Sequence, residues 1–344
     1  MIFATTTRFN RHLFAALPLF ALLSAGCGSE NDGTGIGGSG GAGGSGATGG
    51  SGGSGGSSGS SGAGGTDAGS GSGIHGAFEI SILDEPPPAY TKLLGLIYDG
   101  PQPATPVLKF DSREGDCELL VPKNSFCMGG CTGGVCIDEN TCQAIPSTVN
   151  VGIAHVAGFK GGEISIPPAE RSNGYQPLPT LPARACDEGG AIEVRTDRFT
   201  LQGKCVAPLE VAAKATDKIP VKTGMPVRLT WTPPSQMGTS RVTVKLDISH
   251  HGGLKGLIKC DAPDTGSLDV PATLTTKLIS LGLAGFPTAE IRRVSTTTAP
   301  NEPNIRLLVT SDVTRDLDTG VISCNDNSTC PPGTMCDTRD LTCK

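Results

Sequence analysis

The chain has 344 residues and 50 glycines, 24 of them within the first 75 positions, so its two ends are different materials. The remaining 344 − 75 = 269 residues can bury roughly three-quarters of their unfolded surface as one large or two modest domains without help from metals. In that part 25 Lys and Arg stand against 30 Asp and Glu, scattered without runs; no basic stripe exists to neutralise phosphates, which excludes nucleic acid as a partner.

At the N-terminus, Arg8 and Arg11 precede the apolar run Leu13 to Leu23, too short for a comfortable membrane span and right for a secretory signal. The run ends in Leu23-Ser24-Ala25-Gly26-Cys27. That ending resembles the lipobox of bacterial lipoproteins. The resemblance implies that residues 1–26 are a lipoprotein signal peptide, that Cys27 is lipidated, and that the chain's first partner is a lipid bilayer entered by its N-terminal acyl chains. Gly28 stands where the inner-membrane retention signal of such proteins has Asp. The expected location is therefore the outer membrane, lipid-anchored and facing the cell exterior, with the periplasmic side as the alternative.

From Gly33 to Gly73, 22 of 41 residues are Gly, a composition that cannot bury enough apolar surface to order itself. Residues 27–75 are read as a lipidated cysteine and disordered tether, whose 41-residue Gly-rich part holds the rest about 35 Å from the lipid. Gly37-Gly38-Ser39-Gly40-Gly41 matches the nucleophile-elbow pattern, but no strand precedes it and no helix follows, so it is an accident of composition.

Beyond Cys27 there are 12 cysteines, an even number in an exported chain, which predicts up to six disulfides. Cys117, Cys127, Cys131, Cys136 and Cys142 form an odd group; Cys186, Cys205 and Cys260 are scattered; Cys324, Cys330, Cys336 and Cys343 form an even group that can close on itself with three connectivities. If Cys186 pairs with Cys205, parity sends Cys260 to a member of the first group. Cys127-x3-Cys131-x4-Cys136 is also within metal-ligand spacing, but export, parity and the absence of His from both clusters oppose zinc. No metal and no cofactor is expected. Cys131 to Cys142 and Cys330 to Cys343 look like two versions of one knob and resemble small Cys-rich modules of the Dickkopf or EGF type.

Between the knobs, Arg241 to Ile248 alternates, placing Val242, Val244, Leu246 and Ile248 on one face, as in a half-buried antiparallel strand. Val227-Leu229-Trp231, Ile192-Val194, Phe199-Leu201 and Ile305-Leu307-Val309 repeat the period, and Phe78–Leu83, Lys92–Tyr98 and Val149–Val156 add continuous apolar runs. From Pro271 to Leu281, Leu274, Leu278 and Leu281 have helical spacing, with Asp269 as the expected cap and Gly282 as the stop. The predicted fold is mainly β, an antiparallel β-sandwich with one short helix plus small disulfide-rich knobs: a small β unit with a Cys-rich segment over 76–146, the sandwich over 147–313 and a C-terminal Cys-rich knob over 314–344.

Gly115 to Pro122, Leu229 to Pro234, Lys245 to Gly253, Ile258 to Cys260 and Asp264 to Pro271 together resemble a group of Gly/Ser-tethered lipoproteins of large-genome Gram-negative soil bacteria. The resemblance spans most of 76–313. It implies localisation and domain extent and carries no functional residue.

The sharpest chemical motif is Asp264-Thr265-Gly266-Ser267, which reads like the catalytic loop of aspartic proteases, with Asp318-Thr319-Gly320 as a second copy. Such an enzyme needs both carboxylates together to share a proton. Asp264 instead follows Ala262-Pro263, and Asp and Gly are common turn formers, so both are expected in turns. His250 and His251 at a strand end are candidate ligands or bases, and Asp312, Asp316 and Asp318 are a candidate calcium cluster without EF-hand spacing. Trp231 keeps phase with Leu229 and Val227 and is assigned to the core; Tyr90 and Tyr175 are the expected exposed aromatics. No catalytic set is complete. The architecture points to a displayed binding, adhesion or envelope-structural module with a protein or polysaccharide ligand, the alternative being an extracellular hydrolase or carbohydrate-binding protein.

Overall fold

The computed structural model describes residues 73–85, 87–123, 126–251 and 253–344. The expected signal peptide, Cys27, the elbow-like Gly37–Gly41 and nearly all of the expected tether lie outside the described residues.

The described chain is mainly β. In order it forms β1 (His75–Leu83), β2 (Tyr90–Tyr98), β3 (Leu108–Glu114), β4 (Cys117–Pro122), β5 (Gly134–Cys136), β6 (Cys142–Ala144), β7 (Ala154–Ala157), β8 (Ile164–Ile166), β9 (Ala191–Arg195) and β10 (Thr200–Lys204). There follow β11 (Ile219–Pro220), β12 (Val227–Thr230), β13 (Arg241–Asp247), β14 (Leu257–Pro263), β15 (Ser267–Val270), α1 (Ala272–Ser280), β16 (Thr288–Ala299), β17 (Glu302–Asp318), β18 (Cys336–Asp337) and β19 (Thr342–Cys343). A large sheet runs β2-β1-β17-β16-β13-β14-β4-β3, with β11 added beside β17; β10-β9-β7-β8 form a second sheet, and β12 and β15 a ribbon. Strands from 76–146 and from 147–313 thus enter the same large sheet.

The pairing is antiparallel as predicted except at β17, which takes β1 and β11 in parallel. Alternation explains which way the sheet faces. Phe78, Ile80 and Ile82 on β1 and Ile305, Leu307 and Val309 on β17 share its inner face with the second sheet, and make one core. Farther along the same face, Ile291, Val313, Leu317, Val244 and Leu246 make a second core with Trp231, Val270 and the α1 residues Leu274 and Leu278. The long hairpin β16–β17 belongs to both.

Two glycines mark where strands approach too closely for a side chain. Gly76 has φ of 146°, and a Cβ there would lie 2.1 Å from the Leu96 carbonyl oxygen; at Gly95 the space is filled by the Phe78 ring. The Val149–Val156 run becomes a strand only from Ala154, because Val149 and Val151 use their backbone groups in bridging contacts to Ile97, Asp197 and Tyr175. The helix lies within its predicted span of Pro271 to Leu281, but Asp269 does not cap it. Asp269 lies on β15 opposite Arg228, and Pro271 occupies the cap position with no side-chain hydrogen bond. Gly282 stops the helix in a left-handed conformation, φ 95°, as C-terminal glycines do.

All twelve cysteines of this part are joined. Cys117–Cys260 ties β4 to β14, Cys186–Cys205 closes a local loop, and the knobs share one interleaved wiring, Cys127–Cys136 with Cys131–Cys142 and Cys324–Cys336 with Cys330–Cys343. The Cys127, Cys131 and Cys136 sulfurs, and those of Cys324, Cys330 and Cys336, lie within 4.8 Å of one another, a spacing that would suit a metal. Their disulfides consume the thiolates a metal would need.

Candidate functional site

Asp264 is 3% exposed and lies beneath the inner face of the large sheet. Its Oδ1 accepts from Trp231 Nε1 at 2.7 Å and its Oδ2 from Ser240 Oγ at 2.7 Å; Arg293 closes a bidentate pair, Nε to Oδ2 at 2.6 Å and Nη2 to Oδ1 at 3.2 Å. Arg293 is 0% exposed and spends its other donors on the carbonyls of Ala207, Pro208 and Thr232. Every guanidinium nitrogen and both carboxylate oxygens are therefore engaged, the condition under which a buried ion pair is tolerated. Burial pushes the Asp264 carboxyl up, but the hydrogen bonds from Arg293, Ser240 and Trp231 outweigh it and hold the pKa below the usual carboxylate range.

The position explains the pair. Ala207 and Pro208 carry the chain from Val206, in the first core, to Leu209, in the second. The cross-strand partner of Arg293 is Ser311, whose hydroxyl accepts from Leu209 N at 2.9 Å. A polar seam thus separates the two cores. Asp264-Thr-Gly-Ser is a structural turn, with Gly266 at φ 98° and its carbonyl accepting from Trp231 N. Asp318 is exposed at the end of β17, where its Oδ1 accepts from Gly320 N at 3.1 Å. Both Asp264 oxygens are taken by Arg293, Ser240 and Trp231, and no second carboxylate is among their partners, so the proton-sharing arrangement of an aspartic protease is not built at Asp264.

The remaining sequence candidates separate cleanly. The His250 and His251 rings lie 3.9 Å apart, tilted by 51°, in a turn beyond β13, His251 with φ 63°, and no third ligand joins them among the described residues. Asp312, Asp316 and Asp318 alternate along β17, which spreads the outer two over about 20 Å. Asp312 is paired instead with Arg292 at 2.9 Å, and Arg292 also grips Glu79. Burial raises the Asp312 pKa ahead of the opposing pull of Arg292. Trp231 is in the core, as its phase predicted. Tyr90 is on the surface, but Tyr175 is fully buried: its hydroxyl donates to Gly152 O and accepts from Val151 N, while its backbone bridges Gly95.

What the sequence did not single out is the outer face of β2-β1-β17. Register places Tyr98, Leu96 and Leu94 beside His75, Ala77 and Glu79, and Ala77 beside Arg306. The small Ala77 between Leu96 and Arg306 leaves a depression of about 470 Å³, rimmed by Pro101, Gln102 and Asn304. Arg306 is exposed and makes no ion pair among the described residues, whereas the Glu79 carboxylate is held by Arg292. The signal was present in Lys92–Tyr98, where Leu94, Leu96 and Tyr98 put apolar side chains on the face opposite Leu93 and Ile97, an excess for a strand with one solvated face.

No protein-family model and no curated protein sequence matches the chain. Among solved structures, the chain is similar to a tetra-tandem repeat in the extending region of a large adhesion protein, with 12% identity and a TM-score of 0.19 over 72% of this chain and 76% of that one. It is also similar to the FN1–FN3 domains of chicken CNTN1, with 8% identity and a TM-score of 0.18 over 66% of this chain and 68% of that one.

Proposed function

We propose that the chain is a displayed binding module, held at the outer membrane by lipid on Cys27 and carried clear of it by the Gly-rich tether. The observation that carries this reading is the contrast in polar chemistry across the large sheet. The sharpest motif that invited a hydrolase, Asp264-Thr-Gly-Ser, is spent on a sealed ion pair. The accessible depression on the outer face presents Tyr98, Arg306, Asn304 and Gln102, whose side chains make no hydrogen bond or ion pair among the described residues. Concave sites with an apolar floor and a few convergent polar groups are where ligands bind.

The test uses the full chain carrying Cys27→Ser, which removes the lipidation residue, with intact cells and with envelope and matrix fractions of its source. Saturable binding is expected, and EDTA should leave it unchanged, because Asp312 is already neutralised by Arg292. Absence of binding to every fraction overturns the reading.

A further inference from the structure

We propose that β3 is a docking edge for a second copy of this chain, the two β3 strands pairing antiparallel about a two-fold axis between Asp111 and Ser112 so that the large sheets of both copies join. β3 closes one end of the large sheet, and among the described residues no strand pairs with its far side. Lys109, Phe110, Asp111, Arg113 and Glu114 are exposed there, Phe110 by 59%. The opposite end of the sheet is guarded, because β2 meets Thr148, Tyr175 and Leu181 in isolated bridges. An open edge offers its unpaired backbone donors and acceptors to another strand.

An irregularity in β3 sets the register. Phe110 faces Leu120 and Ser112 faces Leu119, so Asp111 is an extra residue, a bulge. Lys109, Ser112 and Glu114 stand opposite Val121, Leu119 and Cys117 on the core side, whereas Leu108, Phe110 and Arg113 stand opposite Pro122, Leu120 and Glu118 on the outer face. Asp111 is on the core side too, where Lys277 of α1 meets it at 3.4 Å and Thr273 donates to Glu114 Oε2. Lys123 N donates to Val107 O at 2.9 Å; alternation from that bonded pair turns the backbone groups of Phe110 away from β4, and the bulge brings Arg113 into the same phase. A symmetric pairing centred on Asp111 would set Asp111 against itself and Lys109 against Arg113, and would pair Phe110 with Ser112 from the opposite face. Centred between Asp111 and Ser112, every pair shares a face: Phe110 meets the second copy's Arg113 and exchanges backbone hydrogen bonds with it, Lys109 meets the second copy's Glu114, and Asp111 meets the second copy's Ser112. The two-fold axis repeats each contact. A guanidinium beside a ring and an ammonium beside a carboxylate are favourable cross-strand pairs. Charges and a bulge ordinarily keep an edge unpaired; among registers that cross this bulge they exclude all but one, and in that one the charges are complementary.

Sedimentation equilibrium of the full chain carrying Cys27→Ser, over a range of protein concentrations, reads the assembly. A monomer–dimer equilibrium is expected. Lys109→Glu puts two like-charge pairs into the interface and should raise the dimer dissociation constant on the order of tenfold, and Glu114→Lys should do the same. The double variant Lys109→Glu with Glu114→Lys exchanges the charges and should recover dimerisation, which a merely structural role for either side chain would not produce. Phe110→Ala should weaken the dimer as well. Equal melting temperatures of these variants in dilute solution, where the monomer prevails, separate docking from folding. A monomer at every concentration overturns the proposal, as does a dimer indifferent to Lys109→Glu or a double variant no better than the single ones. The depression at Tyr98 lies across β2, β1 and β17 at the other end of the sheet, so failure here leaves the binding-module reading standing.

Discussion

Arg292 and Arg293 are neighbours in sequence and opposites in environment. Arg293 points inward, where it saturates its donors on Asp264 and three carbonyls at the seam between the cores; Arg292 points outward to Glu79 and Asp312, in partial contact with solvent. The inner pair cannot loosen without exposing charge to a dry interior. The outer cluster can exchange its partners for water at little cost. Motif resemblance alone does not separate such sites. Asp264 looked reactive and is structural, while Arg306, without an ion pair among the described residues, lies in no motif at all.

Breaking the inner pair should have the largest effect. Asp264→Ala is expected to cost about 3–5 kcal/mol in denaturant unfolding, because it strands the Arg293 guanidinium. Since the folded Asp264 pKa is depressed, its contribution is complete above the unfolded value of about 4 and is lost as pH falls through the folded one. Unfolding midpoints between about pH 2 and 5 should therefore fall more steeply with acid for the parent chain than for Asp264→Asn. Parallel acid limbs would show that the pair is not held as described.

Next in size is the Cys117–Cys260 bridge, which closes a separation of 143 residues. Replacing both cysteines with serine should cost about 2–5 kcal/mol of global stability. Removing Cys127–Cys136, with a separation of 9, should leave the two cores' unfolding unchanged and loosen its own knob, as hydrogen exchange would report. Trp231→Phe keeps an aromatic ring in the core and deletes one of the two donors to Asp264 Oδ1, so about 1–3 kcal/mol is expected from the lost charge-assisted hydrogen bond and the smaller ring. Asp312→Asn should change stability by about 1 kcal/mol or less. Its sign with pH is opposite to that of Asp264: the folded Asp312 pKa is raised, so the cost of its charge is present above that value and is relieved as acid protonates it.

The parts of this comparison differ in how far sequence reveals them. Period two placed Arg241–Asp247 and Val227–Thr230 as half-buried strands, helical spacing placed Ala272–Ser280, and cysteine parity tied Cys260 to the first Cys-rich group. These signals are local or arithmetical. The parallel pairing of β1 with β17 is neither, since it joins residues more than two hundred positions apart with no connecting motif. Asp264 was legible as a turn but not as half of an ion pair. The overlooked clue was Arg293 itself, in phase with the buried Ala289 and Ile291, where a charge demands a buried partner. Tyr98 and Arg306 were hidden for another reason: a depression made by a small Ala77 between larger side chains on neighbouring strands exists only after the register is fixed.

The most direct measurement is the binding isotherm of the Ala77→Trp variant, made in the full Cys27→Ser chain, against the envelope or matrix fraction that the parent binds. Tryptophan at the floor of the outer depression should abolish saturable binding while the melting temperature stays within a few degrees of the parent's. Binding at parental affinity would contradict the assignment of function to that face.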